Sequence, residues 1–296
     1  MNLKDKEKIL RAGKIAGQVR EYAKKIIKKD TPLLEIAEKI ESKIIELGGK
    51  PAFPTNLSIN DIAAHYTPPN DDETLAHGLL KVDFGVHIGG NIADTAFSID
   101  LENSKENKRL IQASEEALEN ALKITKENTT ANEIGKTIQK TIESFSGFTP
   151  IINLSGHSMQ EYDLHSGITI PNINDNKNIE IENGLYAIEP FATNGSGKVY
   201  DGKPSGIYYL SNQKNTRSPL AREILNFIIE EYKTLPFCER WLVKKFGTKS
   251  LFALKQLENE NILHHFPQLV ESSHAKVSQA EHTILIDKDE IIITTK

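Results

Sequence analysis

Cysteine is almost missing from this chain: Cys238 is the single one among 296 residues. That excludes an internal disulfide and any zinc site built on several thiolates, and it suits an intracellular protein. Cys238 itself, in "LPFCERWL", reads as a packed core residue, because nothing beside it would activate a thiol. Positive charge is not in excess either. Lys and Arg number 36 against 41 Asp and Glu, a net charge of −5, so nucleic acid is not expected as a direct partner. No apolar run approaches the ~18 residues of a membrane span, so no membrane partner is expected. The opening "MNLKDKEKIL" has no apolar stretch of the signal-peptide kind, and a cytoplasmic location is the expectation.

What the chain does contain is helical periodicity, and it occurs twice. Ile9, Ala12, Ala16, Val19, Ala23, Ile26 and Ile27 recur at helical spacing over residues 4–29. Thr31-Pro32 predicts an N-cap with proline at the first helical position, opening a helix through Leu33, Ile36, Ile40, Ile44 and Leu47 that stops at Gly48-Gly49. Residues 104–128 predict another helix, and Thr130-x-x-Glu133 is a capping box for a fourth. A shift of 98 positions lays Thr31 on Thr129, Glu35 on Glu133, Ile36 on Ile134, Ile40 on Ile138, Ile44 on Ile142 and Gly49 on Gly147. The shared caps and stops argue for a duplication. Each half is then a helix pair followed by strands, an α/β chain whose sheet draws on both halves with helices outside. Composition changes after Tyr209: residues 218–245 and 249–260 predict helices, and "SSHAKVSQ" leads back to a strand. We therefore expect a catalytic domain from 1–208 and 277–296, interrupted by a helical subdomain over 209–276.

Within the first half, "KVDFGVHIGGNIADTAFSID" has the alternation of a β-hairpin around Gly89-Gly90. Paired numbers then sum to 179, which sets Asp94 opposite Gly85 and Asp83 opposite Ala96. Alternation puts both carboxylates on one face, roughly 7–8 Å apart as diagonal neighbours. A solvated outer face is the plain alternative. Against it stand three more candidates on predicted strands: His157 in "LSGHSM", Glu189 in "LYAIEPF" and Glu281 in "QAEHTILI". Four carboxylates converging without a partner would be prohibitively costly to bury. Two divalent cations would cancel that charge, and oxygen ligands with one imidazole suit Mn, Fe, Co or Zn.

The stretches "FPTNLSINDIAAHYTPP", "KVDFGVHIGGNIADTAF", "SGHSMQEYDLHSG", "YAIEPF" and "AEHTILI" resemble the motifs of the methionine aminopeptidases, in order and along essentially the whole chain. "TLPFCERWL" resembles the type II branch in its compact form. The resemblance implies a pseudo-two-fold pita-bread fold with a curved, mainly antiparallel sheet. It implies two divalent metal ions held by Asp83, Asp94, His157, Glu189 and Glu281, with Asp94 and Glu281 bridging, Asp83 completing one site and His157 with Glu189 the other. It assigns proton transfer to Glu189, and contacts to the scissile peptide to His65 and His165, which would steady the tetrahedral intermediate as donors. Phe53, Leu164 and Phe191, with the insert near Pro236, would line the methionine pocket. "SGIYYL" lacks the further histidine that some type II relatives carry there.

The expected activity is removal of initiator methionine from nascent proteins and peptides when the second residue is small, by a monomer, with the ribosome as a further partner. One rival is a proline-specific peptidase of the same fold, a group that usually carries an extra N-terminal domain for which the residues ahead of the first helix leave no room. The other is a non-catalytic pita-bread protein that binds ribosomes or RNA. Such relatives have lost metal ligands that are kept here.

Overall fold

The repeat read from helical periodicity is present in three dimensions. In the computed structural model, which describes residues 3–288 and 290–296, the first half opens with α1 (Leu3–Ile26) and α2 (Leu33–Glu46). Short strands β1 (Lys50–Pro51), β2 (Asn56–Ile59) and β3 (Ile62–Ala64) follow, then the long pair β4 (Leu79–Ile88) and β5 (Asn91–Asp100). The second half opens with α3 (Lys105–Ile124) and α4 (Ala131–Ser144). Each end of α4 lies 98 positions beyond the matching end of α2, and α3 ends 98 positions beyond α1. One extra residue enters at the helix exit, so that β6 (Thr149–Pro150) lies 99 positions beyond β1.

Strands β7 (Ser155–Met159), β8 (Thr169–Pro171), β9 (Gly184–Ile188), β10 (Phe191–Thr193) and β11 (Val199–Leu210) complete this run. Next come α5 (Pro219–Glu231), β12 (Phe237–Cys238), α6 (Glu239–Phe246) and α7 (Lys249–Asn259), then β13 (Leu263–Glu271). The chain closes with β14 (Val277–Gln279), β15 (His282–Asp287) and β16 (Glu290–Ile293). Strand pairings among the described residues are antiparallel, in the orders β1-β4-β2 with β5 on β4, β14-β10-β6, β12-β11-β13-β3 and β16-β15-β9-β7-β8. This is the curved, antiparallel, two-fold architecture that the motifs implied.

Each helix pair covers its own sheet. Ala12, Val19, Ile36, Ile40 and Ile44 of α1 and α2 pack on Leu80, Val82, Phe84 and Val86 of β4. Leu110, Ala117, Ile134, Ile138 and Ile142 of α3 and α4 pack on Tyr186, Ile188, Ile284 and Ile286 of β9 and β15. Burying side chains of this size contributes about 1.5–3 kcal/mol each. A third cluster joins Ile224, Ile228, Leu242, Leu254 and Leu257 of α5, α6 and α7 to Tyr208, Leu210, Phe237 and Leu263.

Three local expectations change. The N-cap of α2 is Pro32, not Thr31, and no side chain caps that helix. Residues 74–76 run alongside instead: Leu33 N donates to Thr74 O and Ala76 N to Thr31 O, at 2.9 and 2.8 Å. The helical run expected over 218–245 is broken at 232–238, where Phe237 and Cys238 pair with Tyr208 and Ile207 of β11. Residues 263–271, which lie beyond the predicted helices but inside the stretch expected as a helical subdomain, form a strand between β11 and β3. Register shifts in β11 flank the pair Pro204–Pro267, where neither proline can donate to the ladder.

Candidate metal centre

The hairpin has the register that its Gly-Gly turn demands. Gly85 pairs with Asp94 and Asp83 with Ala96. Gly89 and Gly90 turn the chain at φ +54° and +90°, a conformation natural to glycine. Side chains then stitch this first-half hairpin to the last strands of the second half. Asp94 N donates to Thr283 Oγ1 at 2.7 Å, and that hydroxyl donates to Asp94 O at 2.8 Å. Glu281 N donates to Ala96 O, and Thr95 Oγ1 to Glu281 O. The stitching brings Glu281, just ahead of β15, beside Asp94.

His157 on β7 and Glu189, between β9 and β10, arrive from the neighbouring strands of the second half. His157 Nε2 lies 3.8 Å from Asp94 Oδ2 and 3.5 Å from Glu189 Oε1. One ligand atom each from Asp94, His157 and Glu281 falls within 4.8 Å of the others. Asp83 joins through Gln279, whose Nε2 donates to Asp83 Oδ2 at 3.5 Å and to Glu189 Oε2 at 3.4 Å.

Burial raises all four carboxyl pKa values, and for Asp94, Glu189 and Glu281 the neighbouring carboxylates add to the rise. Asp83 is pushed up to about 7 by burial, against the hydrogen bond from Gln279. Burial holds His157 down to about 3, so it is a neutral imidazole with a lone pair to offer. Asp83 Oδ1, Asp94 Oδ1 and Glu281 Oε2 are buried without a hydrogen-bond partner among the described residues. Orphaned carboxylate oxygens around one neutral imidazole fit divalent cations and little else.

The four acids and His157 line one cleft of about 470 Å³, together with His65, His165, Phe53, Leu164, Phe191 and Pro236. No sequence-predicted site residue lies elsewhere. His65 occupies a left-handed conformation, φ +64°, uncommon outside glycine. Its Nδ1 lies 3.2 Å from Pro267 O, and a carbonyl only accepts, so Nδ1 carries the proton. Burial lowers its pKa to about 4. The neutral ring therefore offers Nε2 as an acceptor, not as the donor that the motifs suggested. His165 sits edge-on to His157 with ring centroids 4.4 Å apart. His282 turns away to Thr295 Oγ1 at 2.8 Å.

The pattern of metallopeptidase family M24 matches residues 7–244. The chain belongs to that family. It is 47% identical over 299 residues to a methionine aminopeptidase of Methanocaldococcus jannaschii, with all of both chains covered. Its fold is shared with a methionine aminopeptidase structure from Thermotoga maritima, at TM-score 0.71, 21% identity and coverage of 100% and 98%. A structure titled as a thermophilic Arx1 is also similar, at TM-score 0.85, 16% identity and coverage of 99% and 91%.

M24 membership brings divalent metal use, and the buried Asp94–His157–Glu281 group suits it. Among the described residues no helix is long and apolar enough to cross a membrane. Three supporting residues of this M24 site escaped the sequence reading. Gln279 is two positions ahead of Glu281, on the same strand parity, and that spacing was its one available signal. Arg20 reads as a surface cation of α1, yet its Nη1 reaches Thr95 Oγ1 at 2.8 Å and Ala96 O at 2.7 Å beneath the stitched hairpin. Lys81 is buried, donating from Nζ to Asn60 O and Val277 O at 2.9 Å each.

Proposed function

We propose that this chain releases the N-terminal methionine of peptides and nascent proteins, acting as a monomer where those chains are made. One observation carries the reading: four carboxylates, Asp94 and Glu281 buried and Asp83 and Glu189 partly so, gathered with a neutral imidazole and three orphaned oxygens in a cleft with apolar walls. In this reading Asp83, Asp94, His157, Glu189 and Glu281 would hold two divalent cations. Mn, Fe, Co and Zn all suit those donors. When bound, such ions supply Lewis acidity and an activated water near neutral pH.

The chain's own groups do the rest. Phe53, Leu164, Phe191, Ile207 and Pro236 form an apolar wall for the unbranched methionine side chain. Glu189 is half-buried at the cleft, placed to take a proton from the attacking water and return it to the leaving nitrogen. His65 Nε2 would accept the N–H of the scissile amide, and His165, packed against His157 in the same cleft, would orient the carbonyl side. Phe266, edge-on to His65, and Leu269 also line the cleft, where their bulk would favour a small second residue.

The test is release of free methionine from Met-Ala-Ser by protein reconstituted with Mn(II), beside an Ala-Pro peptide. Methionine release supports the reading. Cleavage of the proline peptide alone, or of neither, overturns it.

A further inference from the structure

Asn56 lines the cleft but has no part in the reaction as described. It stands on β2 directly across from Asp83 on β4, so both side chains leave the sheet on the same face. Its exposure is 4%. Asn56 Nδ2 donates to Pro54 O at 3.2 Å. Carbonyl cannot donate to carbonyl, so this bond fixes which end of the amide is which and turns Oδ1 away from Pro54. That Oδ1 is buried, and no donor among the described residues reaches it. Asp83 Oδ1, at the paired position, is likewise without a donor. The nearby donors are committed: Gln279 Nε2 to the other Asp83 oxygen and to Glu189, and His65 Nδ1 to Pro267 O.

Buried acceptors are nearly always satisfied. A cation accounts for Asp83 Oδ1 in the reading above, which leaves Asn56 Oδ1, on the paired strand beside it, as the acceptor that calls for a group rich in N–H. The N-terminal amine of a peptide is such a group, and a blocked or internal peptide lacks it. We propose that Asn56 Oδ1 accepts a hydrogen bond from the substrate's α-amino group, beside Asp83, and so helps the cleft select a free N-terminus. The inference rests on the aminopeptidase reading above and names the residue that senses the amine.

A matched pair of probes tests it: methioninol, and 4-(methylsulfanyl)butan-1-ol, which differs by the missing amine. Binding to Mn(II)-loaded wild type, Asn56→Ala and Asn56→Ser is measured by calorimetry, with Mn(II) affinity measured separately and thermal melts confirming folded protein. Methioninol should weaken about 10- to 100-fold in both variants, the range of one charge-assisted hydrogen bond. The desamino probe and Mn(II) should bind as in wild type, and KM for Met-Ala-Ser should rise with little change in kcat. Equal weakening of both probes would make Asn56 a shaper of the pocket and overturn the proposal. Weakened Mn(II) binding would make it a support of the ligands, with the same consequence, and so would unchanged methioninol affinity. Should Asn56→Ala not fold, Asn56→Ser carries the measurement. Wild type that binds methioninol but leaves Met-Ala-Ser intact overturns the proposed activity and not the role of Asn56.

Discussion

The two halves share their helices and differ in their strands. Helices α2 and α4 correspond end to end, and both pack inward through isoleucines at the same positions, Ile36, Ile40 and Ile44 against Ile134, Ile138 and Ile142. Beyond the helices the halves part. The first supplies two acids from one tight hairpin. The second supplies a histidine and two acids from three separate places, β7, the β9–β10 junction and the start of β15. A duplicated scaffold tolerates this because a helix pair needs only an apolar face to cover a sheet. The sheet faces at the seam are then free to diverge in chemistry.

The largest effect should come from removing one acid at that seam. Asp94→Ala deletes a carboxylate whose backbone is held from both sides by Thr283, so the strand should stay in place while the charge is lost. Turnover of Met-Ala-Ser should fall at least the 10²–10³-fold typical of losing one preorganised electrostatic group. An unchanged circular dichroism spectrum would confirm the fold. Near-wild-type turnover at any Mn(II) concentration would contradict the assignment.

A second contrast lies on the helices themselves. Glu41 of α2 and Gln139 of α4 are 98 positions apart, yet they do different work. The Glu41 carboxylate accepts from Arg240 Nη1 and Nη2 at 2.9 and 2.8 Å and from Trp241 Nε1 at 2.8 Å, anchoring α6 to the first half. Gln139 bonds Glu143 and the backbone of Asn174 near the surface. Glu41→Ala should cost about 3–5 kcal/mol in urea unfolding, because it leaves the Arg240 charge buried and uncompensated. Gln139→Ala should cost under about 1 kcal/mol. Equal costs would mean that α6 is not anchored through this pair.

These contrasts also mark what could be read from the chain beforehand. Local rules sufficed where the determinant was local: the Gly89-Gly90 turn set the hairpin register, the Thr130–Glu133 box set the start of α4, and ordered motifs located every cleft residue that was named. They were insufficient where a partner lies far along the chain. Lys81 looks misplaced in a strand until Val277 O is brought to it from 196 positions away. β13 lacks clean alternation and carries Pro267, so its pairing with β11 and β3 could not be read from its own residues. Asn56 is one polar residue among many until the fold leaves its oxygen without a donor.

Removing the metal should expose the cost of gathering the acids. Their folded pKa values are raised, Asp83 from 3.8 to about 7 and the other three well above their ordinary values, so the metal-free folded state binds more protons than the unfolded chain. Stability from these groups is full at acid pH and is lost as pH rises through the folded values. His157 and His65, lowered to about 3 and 4, act in the opposite sense but only below their ordinary value of 6.5. Lys81, lowered to about 7 by burial, opposes the fall by one proton above that pH, with or without metal. The difference between metal-free and Mn(II)-loaded protein therefore isolates the acids. As pH rises above 7 the metal-free protein should lose stability relative to the loaded form, at about 1.4 kcal/mol per pH unit for each carboxyl still protonated. Parallel curves would show that the acids are not coupled to the metal.

The smallest effect concerns the two helix starts. α4 begins with a reciprocal cap: Glu133 N donates to Thr130 Oγ1 at 3.1 Å, and Thr130 N donates to Glu133 Oε2 at 2.8 Å. α2 begins at Pro32 with no side-chain cap, its first amide, Leu33 N, taken by Thr74 O. Thr130→Ala should therefore cost about 1 kcal/mol, while Thr31→Ala should stay within about 0.5 kcal/mol, as for a substitution that breaks no structural feature. The pair is measured by urea midpoints at one metal concentration, so that ligand binding contributes equally to both. A cost at Thr31 matching that at Thr130 would mean that α2 also starts on a side chain, and that the duplication extends to the caps. The expected inequality would mean that two equivalent helices have kept their length while changing what satisfies their first turn.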